Sequence, residues 1–288
     1  MVDRRSFLKG TVAGVALASA APSVIGQAKP RVVVIGGGAG GATAARYLAK
    51  DSKGALDVVL IEPSRTYYTC FFSNLYMGGF RDFASIGHTY GKLASDYGVT
   101  VVHDWAAGID MDYKTVSLAS GSKMTYDRLV VSPGIDFRYD TTPGYGPEST
   151  GRMPHAWKGG SQTQALKAQI DGMRQGGTFL MVAPPNPYRC PPGPYERISM
   201  AAHTLKQKNP TAKILILDPK EKFSKQALFQ EGWERHYSGM VEWIPASFHG
   251  GIKRIDANTM TVETDADTFQ VDVANVIPGQ RAGNIAVT

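Results

Sequence analysis

The chain has 288 residues, of which 43% are hydrophobic and 19% are charged, a composition typical of a soluble globular protein with room for two domains of about 100–200 residues each. The formal net charge of +6 is mild, and no lysine and arginine run with interleaved aromatic residues indicates nucleic acid as a partner. Beyond residue 28, no stretch of about 18 apolar residues predicts a transmembrane helix.

The first 28 residues have the features of an export signal. Arg4 and Arg5 lie in a motif that resembles the twin-arginine signal, and a weakly hydrophobic segment rich in alanine and glycine follows over residues 11–21. Ala28 completes a small-residue pattern that suits a signal peptidase. Because this pathway exports folded proteins, we expect a periplasmic protein that acquires its cofactor before export. The alternative is a disordered basic tail.

A glycine-rich turn follows the first predicted strand. Residues 32–35 are β-branched, which is typical of a strand buried on both faces of a parallel sheet. Gly36, Gly38 and Gly41 then have the G-x-G-x-x-G spacing, and residues 42–50 favour a helix. This pattern places a pyrophosphate on the free N–H groups of the helix start. The alternative is a glycine-rich turn in another kind of α/β protein.

The next strands support a dinucleotide site. A strand is predicted over residues 57–61, and Glu62 follows it about 20 residues after the last glycine, where a ribose-binding carboxylate is expected. A strand over residues 99–103, with Val102, is expected to supply backbone near the adenine. A β-hairpin is predicted from residues 114–118 and 123–126.

Residues 126–134 predict a strand that ends in Pro133 and Gly134. This segment resembles the second fingerprint of flavoproteins with two dinucleotide-type domains, where the chain crosses into the next domain. We therefore predict a signal peptide over residues 1–28, a first domain over 29–150 and a second domain over 151–272. Residues 273–277 predict a strand, and we expect residues 273–288 to begin the return to the first domain.

The second half has the outline of another βαβ unit. Helices are predicted over 161–174 and 195–206, and strands over 178–182 and 213–217. Residues 183–196 replace the expected glycine loop with a proline-rich one, and proline has no amide donor for a pyrophosphate. We therefore expect that electrons do not enter from NADH. The alternative is that this loop is only a rigid connector.

The sequence has two cysteines, Cys70 and Cys190. Each is expected in a loop at the carboxyl end of a sheet, where α/β proteins bind ligands. Two alternatives remain: the cysteines form a structural disulfide with each other, or each has a separate role. The sequence has no C-x-x-C-H motif for a c-type haem and no convincing metal-ligand spacing.

Six motifs resemble those of one flavoprotein family over residues 30–288. They are Gly36-Gly-Gly-Ala-Gly-Gly41, Tyr67-Tyr-Thr-Cys70, Pro154-His-Ala-Trp157-Lys158, Arg189-Cys190-Pro-Pro-Gly-Pro-Tyr-Glu196-Arg197, Phe223-Ser-Lys-Gln226 and Gln280-Arg-Ala-Gly283. The sequence resembles the flavoprotein subunits of flavocytochrome c sulfide dehydrogenase. The resemblance implies an α/β fold with two Rossmann-like domains, as in glutathione reductase. Family members continue beyond the position matching Thr288, so we expect the third, C-terminal domain to be missing.

The resemblance also implies a function and a site. The implied activity is the oxidation of hydrogen sulfide to sulfur or polysulfide, with electrons passed to a c-type cytochrome subunit in a heterodimer. Cys190 is implied as half of a redox-active disulfide with a downstream partner, and Glu196 is a candidate proton acceptor or simply a first-turn helix acid. FAD is implied to be covalently attached at Cys70. The predicted cofactor-binding residues are Gly36, Gly38, Gly41, Glu62, Cys70, Val102, Pro133 and Gly134.

Two other functions are consistent with the sequence. A sulfide:quinone oxidoreductase shares the architecture, and reduction of a quinone would distinguish it. An inactive, truncated flavin-binding remnant is the non-enzymatic alternative.

Overall fold

A computed structural model describes residues 28–287. The predicted export signal lies almost wholly outside the described residues, so it stays a prediction. None of the helices within the described range is both long enough and apolar enough to cross a membrane.

The first half of the described chain contains a four-stranded parallel sheet and two small antiparallel sheets. Its elements are β1 (Arg31–Ile35), α1 (Ala39–Asp51), β2 (Asp57–Ile61), β3 (Thr66–Tyr68), α2 (Ser73–Met77), β4 (Gly87–Thr89), α3 (Gly91–Tyr97), β5 (Thr100–Val102), β6 (Ala106–Asp110), β7 (Thr115–Leu118), β8 (Lys123–Thr125), β9 (Arg128–Val131) and β10 (Ile135–Arg138).

The parallel sheet has the order β5-β2-β1-β9. Val33 of β1 lies between Val59 of β2 and Leu129 of β9. Val33 and Val34 are both 0% exposed, because side chains on the two faces of the central strand are covered by other elements. The predicted hairpin is confirmed as β7 and β8, which β6 extends to three strands.

The second half contains a second four-stranded parallel sheet. Its elements are α4 (Ser161–Asp171), β11 (Thr178–Val182), α5 (Gly193–Lys208), β12 (Lys213–Asp218), α6 (Gln226–Tyr237), β13 (Val241–Pro245), α7 (Ala246–His249), β14 (Ile252–Asp256), β15 (Thr261–Thr264), β16 (Thr268–Gln270), β17 (Val273–Val276) and β18 (Gly279–Ala282). The sheet has the order β13-β12-β11-β17, and β14, β15 and β16 form an antiparallel sheet. The two parallel sheets confirm the predicted α/β class with two Rossmann-like units.

The prediction that residues 273–277 return to the first domain is wrong. β17 pairs in parallel with β11, with Ala274 opposite Leu180, and all four of its residues are buried. It completes the second sheet because its backbone pairs with the N–H and C=O groups that β11 would otherwise leave unpaired at the sheet edge. The chain returns only with β18, which pairs antiparallel with β10 and places Gln280 opposite Phe137. The other domain boundaries stay predictions.

The two halves are joined by a contact between α2 and α5. Asn74 of α2 donates from Nδ2 to the carbonyl of Gly193 at 3.1 Å, and the hydroxyl of Thr204 on α5 donates to the carbonyl of Met77 at 3.3 Å. Met77 belongs to the same hydrophobic cluster as the buried face of α5. This contact holds the segment after Cys70 against the start of α5.

Candidate functional site

The glycine loop between β1 and α1 has the geometry of a dinucleotide cradle. Gly36 has a φ of +95°, and a Cβ there would lie 2.2 Å from the carbonyl oxygen of Ser132. A Cβ at Gly41 would lie 1.8 Å from the carbonyl oxygen of Gly36. Only glycine therefore fits these two positions. Gly38 caps α1, and a Cβ there would make ordinary van der Waals contact with the Tyr67 ring, 3.7 Å from its Cε2.

Glu62 stands directly beside this loop at the end of β2. Its carboxylate accepts hydrogen bonds from the N–H groups of Gly37 at 2.7 Å and Ser64 at 2.8 Å. An ionised carboxylate has about four acceptor positions, so the remaining ones are free for ribose hydroxyls. The Glu62 N–H donates to the carbonyl of Val102 at 2.9 Å. The structure thus places Val102 beside Glu62, and its role near an adenine stays a prediction.

Pro133 and Gly134 follow β9 and meet the segment after β18. Gly283 donates its N–H to the carbonyl of Gly134 at 2.9 Å, and a Cβ at Gly283 would lie 2.7 Å from the Cβ of Pro133. Because Ser132 also touches Gly36, these residues lie at the carboxyl edge of the first sheet with the glycine loop. The predicted cofactor-binding residues of the loop, β2, β5 and β9 therefore converge on one edge.

The two cysteines are both free thiols, so no disulfide joins Cys70 to Cys190. Cys70 is half-buried at the start of a short 3-10 turn, Cys70–Phe72, and its carbonyl accepts a hydrogen bond from the hydroxyl of Ser73 at 2.6 Å. Cys190 is exposed and has a φ of +63°, a conformation that costs energy for any residue other than glycine and that is concentrated at functional sites.

The structure brings the Cys70 turn (Cys70–Phe72) and the loop that carries Cys190 (residues 183–192) to the same place, the junction where α2 contacts α5. Asn74 donates from Nδ2 to Glu196 Oε2 at 2.6 Å, in addition to its bond to Gly193. Cys190 is exposed as a residue, but partial desolvation of its sulfur is the largest cause that raises the pKa of the thiol, and the charges of Glu196 and Cys70 raise it further. Glu196 therefore lies where its carboxylate acts on the Cys190 sulfur.

Arg197 is a site residue that the sequence analysis missed. Its side chain is 2% exposed and donates from Nε to Asn74 Oδ1 at 3.0 Å and from a terminal nitrogen to Asn275 Oδ1 at 3.2 Å. One signal in the sequence points to it. Arg197 lies one residue before Ile198 and four before Ala201, on the apolar stripe of α5, where a charged side chain requires an explanation.

Several buried polar atoms at this junction have no hydrogen-bond partner among the described residues. They are Thr69 Oγ1, Trp157 Nε1 and Gln280 Nε2. Thr69 precedes Cys70, and Gln280 accepts the Arg189 N–H beside Cys190 at 2.9 Å. Buried polar atoms are normally paired, so their position fits a bound group with polar edges, such as the ring system of a dinucleotide cofactor.

The corresponding edge of the second sheet is closed by side chains. Asp218 at the end of β12 is 0% exposed and accepts hydrogen bonds from the Tyr195 hydroxyl at 2.5 Å and Trp243 Nε1 at 3.0 Å. It also pairs with Lys220 Nζ at 2.6 Å, whose pKa is lowered by burial. The Tyr195 ring stacks on Phe223 with centroids 3.7 Å apart. Little acceptor capacity remains on Asp218 for a ribose.

The described residues contain no group of three or more His, Cys, Asp or Glu side chains placed to hold a metal ion.

Comparisons with known proteins agree with this geometry. Residues 163–278 match the family model of the flavoprotein chain of sulfide dehydrogenase (flavocytochrome c), central part. Residues 30–171 match the model of the pyridine nucleotide-disulphide oxidoreductases. The solved structure of the sulfide:quinone oxidoreductase from Aquifex aeolicus has the same fold, with a TM-score of 0.71 and 18% identity over 90% of this chain and 60% of that chain.

Two curated relatives share sequence with the chain. The flavoprotein chain of sulfide dehydrogenase (flavocytochrome c) from Chlorobaculum thiosulfatiphilum is 52% identical over 44 residues, which are 15% of this chain and 90% of that relative. The sulfide-quinone reductase of Aquifex aeolicus is 37% identical over 105 residues, which are 36% of this chain and 24% of the relative. The chain spans between 24% and 41% of the length of the sulfide:quinone relatives that it matches. The chain belongs to the family of flavoprotein chains of flavocytochrome c sulfide dehydrogenase, within the pyridine nucleotide-disulphide oxidoreductases.

Proposed function

We propose that this protein binds FAD, covalently at Cys70, oxidises hydrogen sulfide to sulfur or polysulfide at Cys190, and passes the electrons to a c-type cytochrome subunit. The observation that carries the proposal is the meeting of the Cys70 turn and the Cys190 loop through Asn74, at the carboxyl edges of both parallel sheets. The positive φ of Cys190 and the unpaired polar atoms at the same junction support it.

The residues of the first unit hold the cofactor in this proposal. The free N–H groups at the start of α1 bind the pyrophosphate, Glu62 binds the ribose, and Gly36 and Gly41 allow the close approach. Cys70 holds the flavin ring by a thioether bond. When bound, the flavin supplies a two-electron acceptor that can return electrons one at a time.

The residues of the second unit handle the sulfur. The resemblance to the family implies that Cys190 would be paired in a disulfide with a cysteine other than the two in this sequence, and hydrosulfide would attack that disulfide. One S–S bond forms and one breaks, so the products are a persulfide and a thiolate. Glu196 is exposed, its charge raises the pKa of the Cys190 thiol, and it is proposed as the proton acceptor; its bond to Asn74 fixes its position.

The function is tested by anaerobic reduction of the flavin with sulfide. We expect sulfide to bleach the visible absorption of the flavin, and Cys190→Ser to slow this step by about a thousandfold or more, because the reactive sulfur is gone. The variant must retain its flavin and its unfolding temperature as a control. Bleaching of Cys190→Ser at the parent rate would refute the proposed role of Cys190.

The electron acceptor is tested in the same sample. A quinone is the second candidate, supported by the similarity to the Aquifex aeolicus sulfide-quinone reductase. We expect the sulfide-reduced flavin to be reoxidised by a c-type cytochrome faster than by a short-chain quinone. The opposite order of rates would favour the quinone.

We further predict that NADH and NADPH do not reduce the flavin rapidly. The loop before α5 carries prolines instead of an amide cradle, the Tyr188 hydroxyl bonds back to Pro191 at 2.8 Å, and Asp218 is occupied by Tyr195 and Lys220. Stopped-flow mixing with either nucleotide measures this, and reduction by sulfide of the same sample is the control. Rapid bleaching by either nucleotide would contradict the prediction.

A further inference from the structure

The buried charge of Arg197 has no carboxylate partner in the described part of the chain. Its guanidinium donates to neutral oxygens only, which are Asn74 Oδ1, Asn275 Oδ1 and the carbonyls of His155 and Ala156, at 2.9–3.2 Å. No ion pair among residues 28–287 includes Arg197. A buried cation without an anion is costly. The charge of Arg197 is therefore not explained by a structural salt bridge, and a role in the site is expected.

The Trp157 ring lies close both to this charge and to the Cys190 sulfur. The guanidinium carbon of Arg197 lies 4.8 Å from the centre of the Trp157 ring. A Cβ at Gly193 would lie 2.8 Å from Trp157 Cη2 and 2.9 Å from Cys190 Sγ. The indole ring and the thiol are therefore both close neighbours of Gly193. Two charges interact more strongly when protein rather than water fills the space between them.

Arg197 stays charged at neutral pH. Burial lowers its pKa to about 10, while the negative charges of Cys70, Cys190 and Glu196 act in the opposite direction. The titratable and charged groups around the Cys190 sulfur are Tyr188 and Arg189 on its own loop, Glu196 and Arg197 on α5, and Cys70 on the facing turn. The charge of Arg189 lowers the pKa of the Cys190 thiol directly, whereas Arg197 is coupled to it through the raising effect of the Cys190 charge on the pKa of Arg197.

We propose that Arg197 is a positioning residue that favours the thiolate form of Cys190. The proposal rests on the proposed function, because it concerns the sulfur to which that function assigns the chemistry. A thiolate is the nucleophilic form of cysteine, and a stabilised thiolate is also the better leaving group when a disulfide is attacked. Arg197 acts without touching the sulfur, and the neutral ligands of its guanidinium leave its full charge available.

The test is the pH dependence of alkylation of Cys190 by iodoacetamide, in the 288-residue chain carrying Cys70→Ser, in which Cys190 is the one remaining cysteine. Arg197→Gln keeps a hydrogen-bond donor and removes the charge. We expect alkylation to be about tenfold slower at a fixed pH below the thiol pKa, which corresponds to a rise of about one unit in that pKa. Arg197→Lys keeps the charge and is expected to retain the parent profile. Glu196→Gln removes a negative charge and is expected to accelerate alkylation.

Two further variants keep the test decisive. Arg174→Met removes an exposed arginine that pairs with Asp272 before β17, at the opposite edge of the sheet, and is expected to leave the profile unchanged. Asn275→Asp retains Arg197 but places a carboxylate on it, so it is expected to slow alkylation even if Arg197→Gln fails to fold.

Unchanged alkylation profiles in both Arg197→Gln and Asn275→Asp would overturn the inference, as would equal slowing by Arg197→Lys and Arg197→Gln. These results do not depend on sulfide. Parent protein whose flavin is not reduced by sulfide, but whose variants show the expected alkylation shifts, would refute the proposed function and leave the role of Arg197 standing.

Discussion

In Cys70→Ser, nearly all of the flavin is expected in the supernatant after acid precipitation, whereas the parent protein is expected to retain yellow flavin in the pellet. A thioether survives denaturation, but the contacts of the glycine loop and Glu62 exist only in the folded chain. Cys70 is suited to this bond because it is a free, half-buried thiol in a turn that α2 holds against α5. Mass spectrometry of the parent is expected to place FAD on the peptide that contains Cys70.

The matched control is the same substitution at the other cysteine. Cys190→Ser is expected to keep the flavin in the pellet, because Cys190 is assigned to the sulfur chemistry and not to attachment. Release of flavin by the parent protein would show that attachment is not covalent. Retention by Cys70→Ser would show that another residue forms the bond.

Gly41→Ala is expected to lower the free energy of unfolding by about 3 kcal/mol or more, the upper range for an overpacked site, and to abolish binding of the cofactor. Its Cβ would lie 1.8 Å from the carbonyl oxygen of Gly36 and 3.2 Å from the Cβ of Ser132. Removing this clash requires α1 to move away from β1, and that movement would widen the glycine loop that is proposed to hold the cofactor. Denaturant unfolding of the cofactor-free chain and retention of flavin measure the two effects separately.

Gly40→Ala is the matched control one residue away. A Cβ at Gly40 would have Ser132 Oγ as its nearest atom, at 3.7 Å, which is ordinary contact. Since alanine is a better helix former than glycine by about 1 kcal/mol, Gly40→Ala is expected to leave the unfolding free energy unchanged or to raise it. Equal destabilisation by both variants would contradict the steric account.

Local patterns predicted most strands and helices of this fold. Residues 32–35 and 57–61 became β1 and β2 because runs of β-branched and apolar side chains suit strands covered on both faces. The hairpin of β7 and β8 followed from alternation and a turn. The glycine loop was predictable for the same reason, since its spacing reflects steric limits within a few neighbouring residues.

Pairing between distant segments could not be predicted in this way. The buried residues of β17 indicate a strand in a parallel sheet, but the same pattern suits either sheet. Its partner β11 lies far upstream, and only the packing of the second sheet decided between them.

The candidate site likewise has features that local sequence predicts and features that depend on contacts between distant residues. The glycine cradle, Glu62, the proline-rich loop and the two cysteines could be identified before the structure, because each depends on residue type and local spacing. Only the tertiary structure placed Cys70 and Cys190 at one junction, filled the second ribose position with Tyr195 and Asp218, and buried Arg197 among neutral oxygens. Those features arise from side chains that are distant in the sequence, and contacts between such side chains exist only after the two halves have packed together.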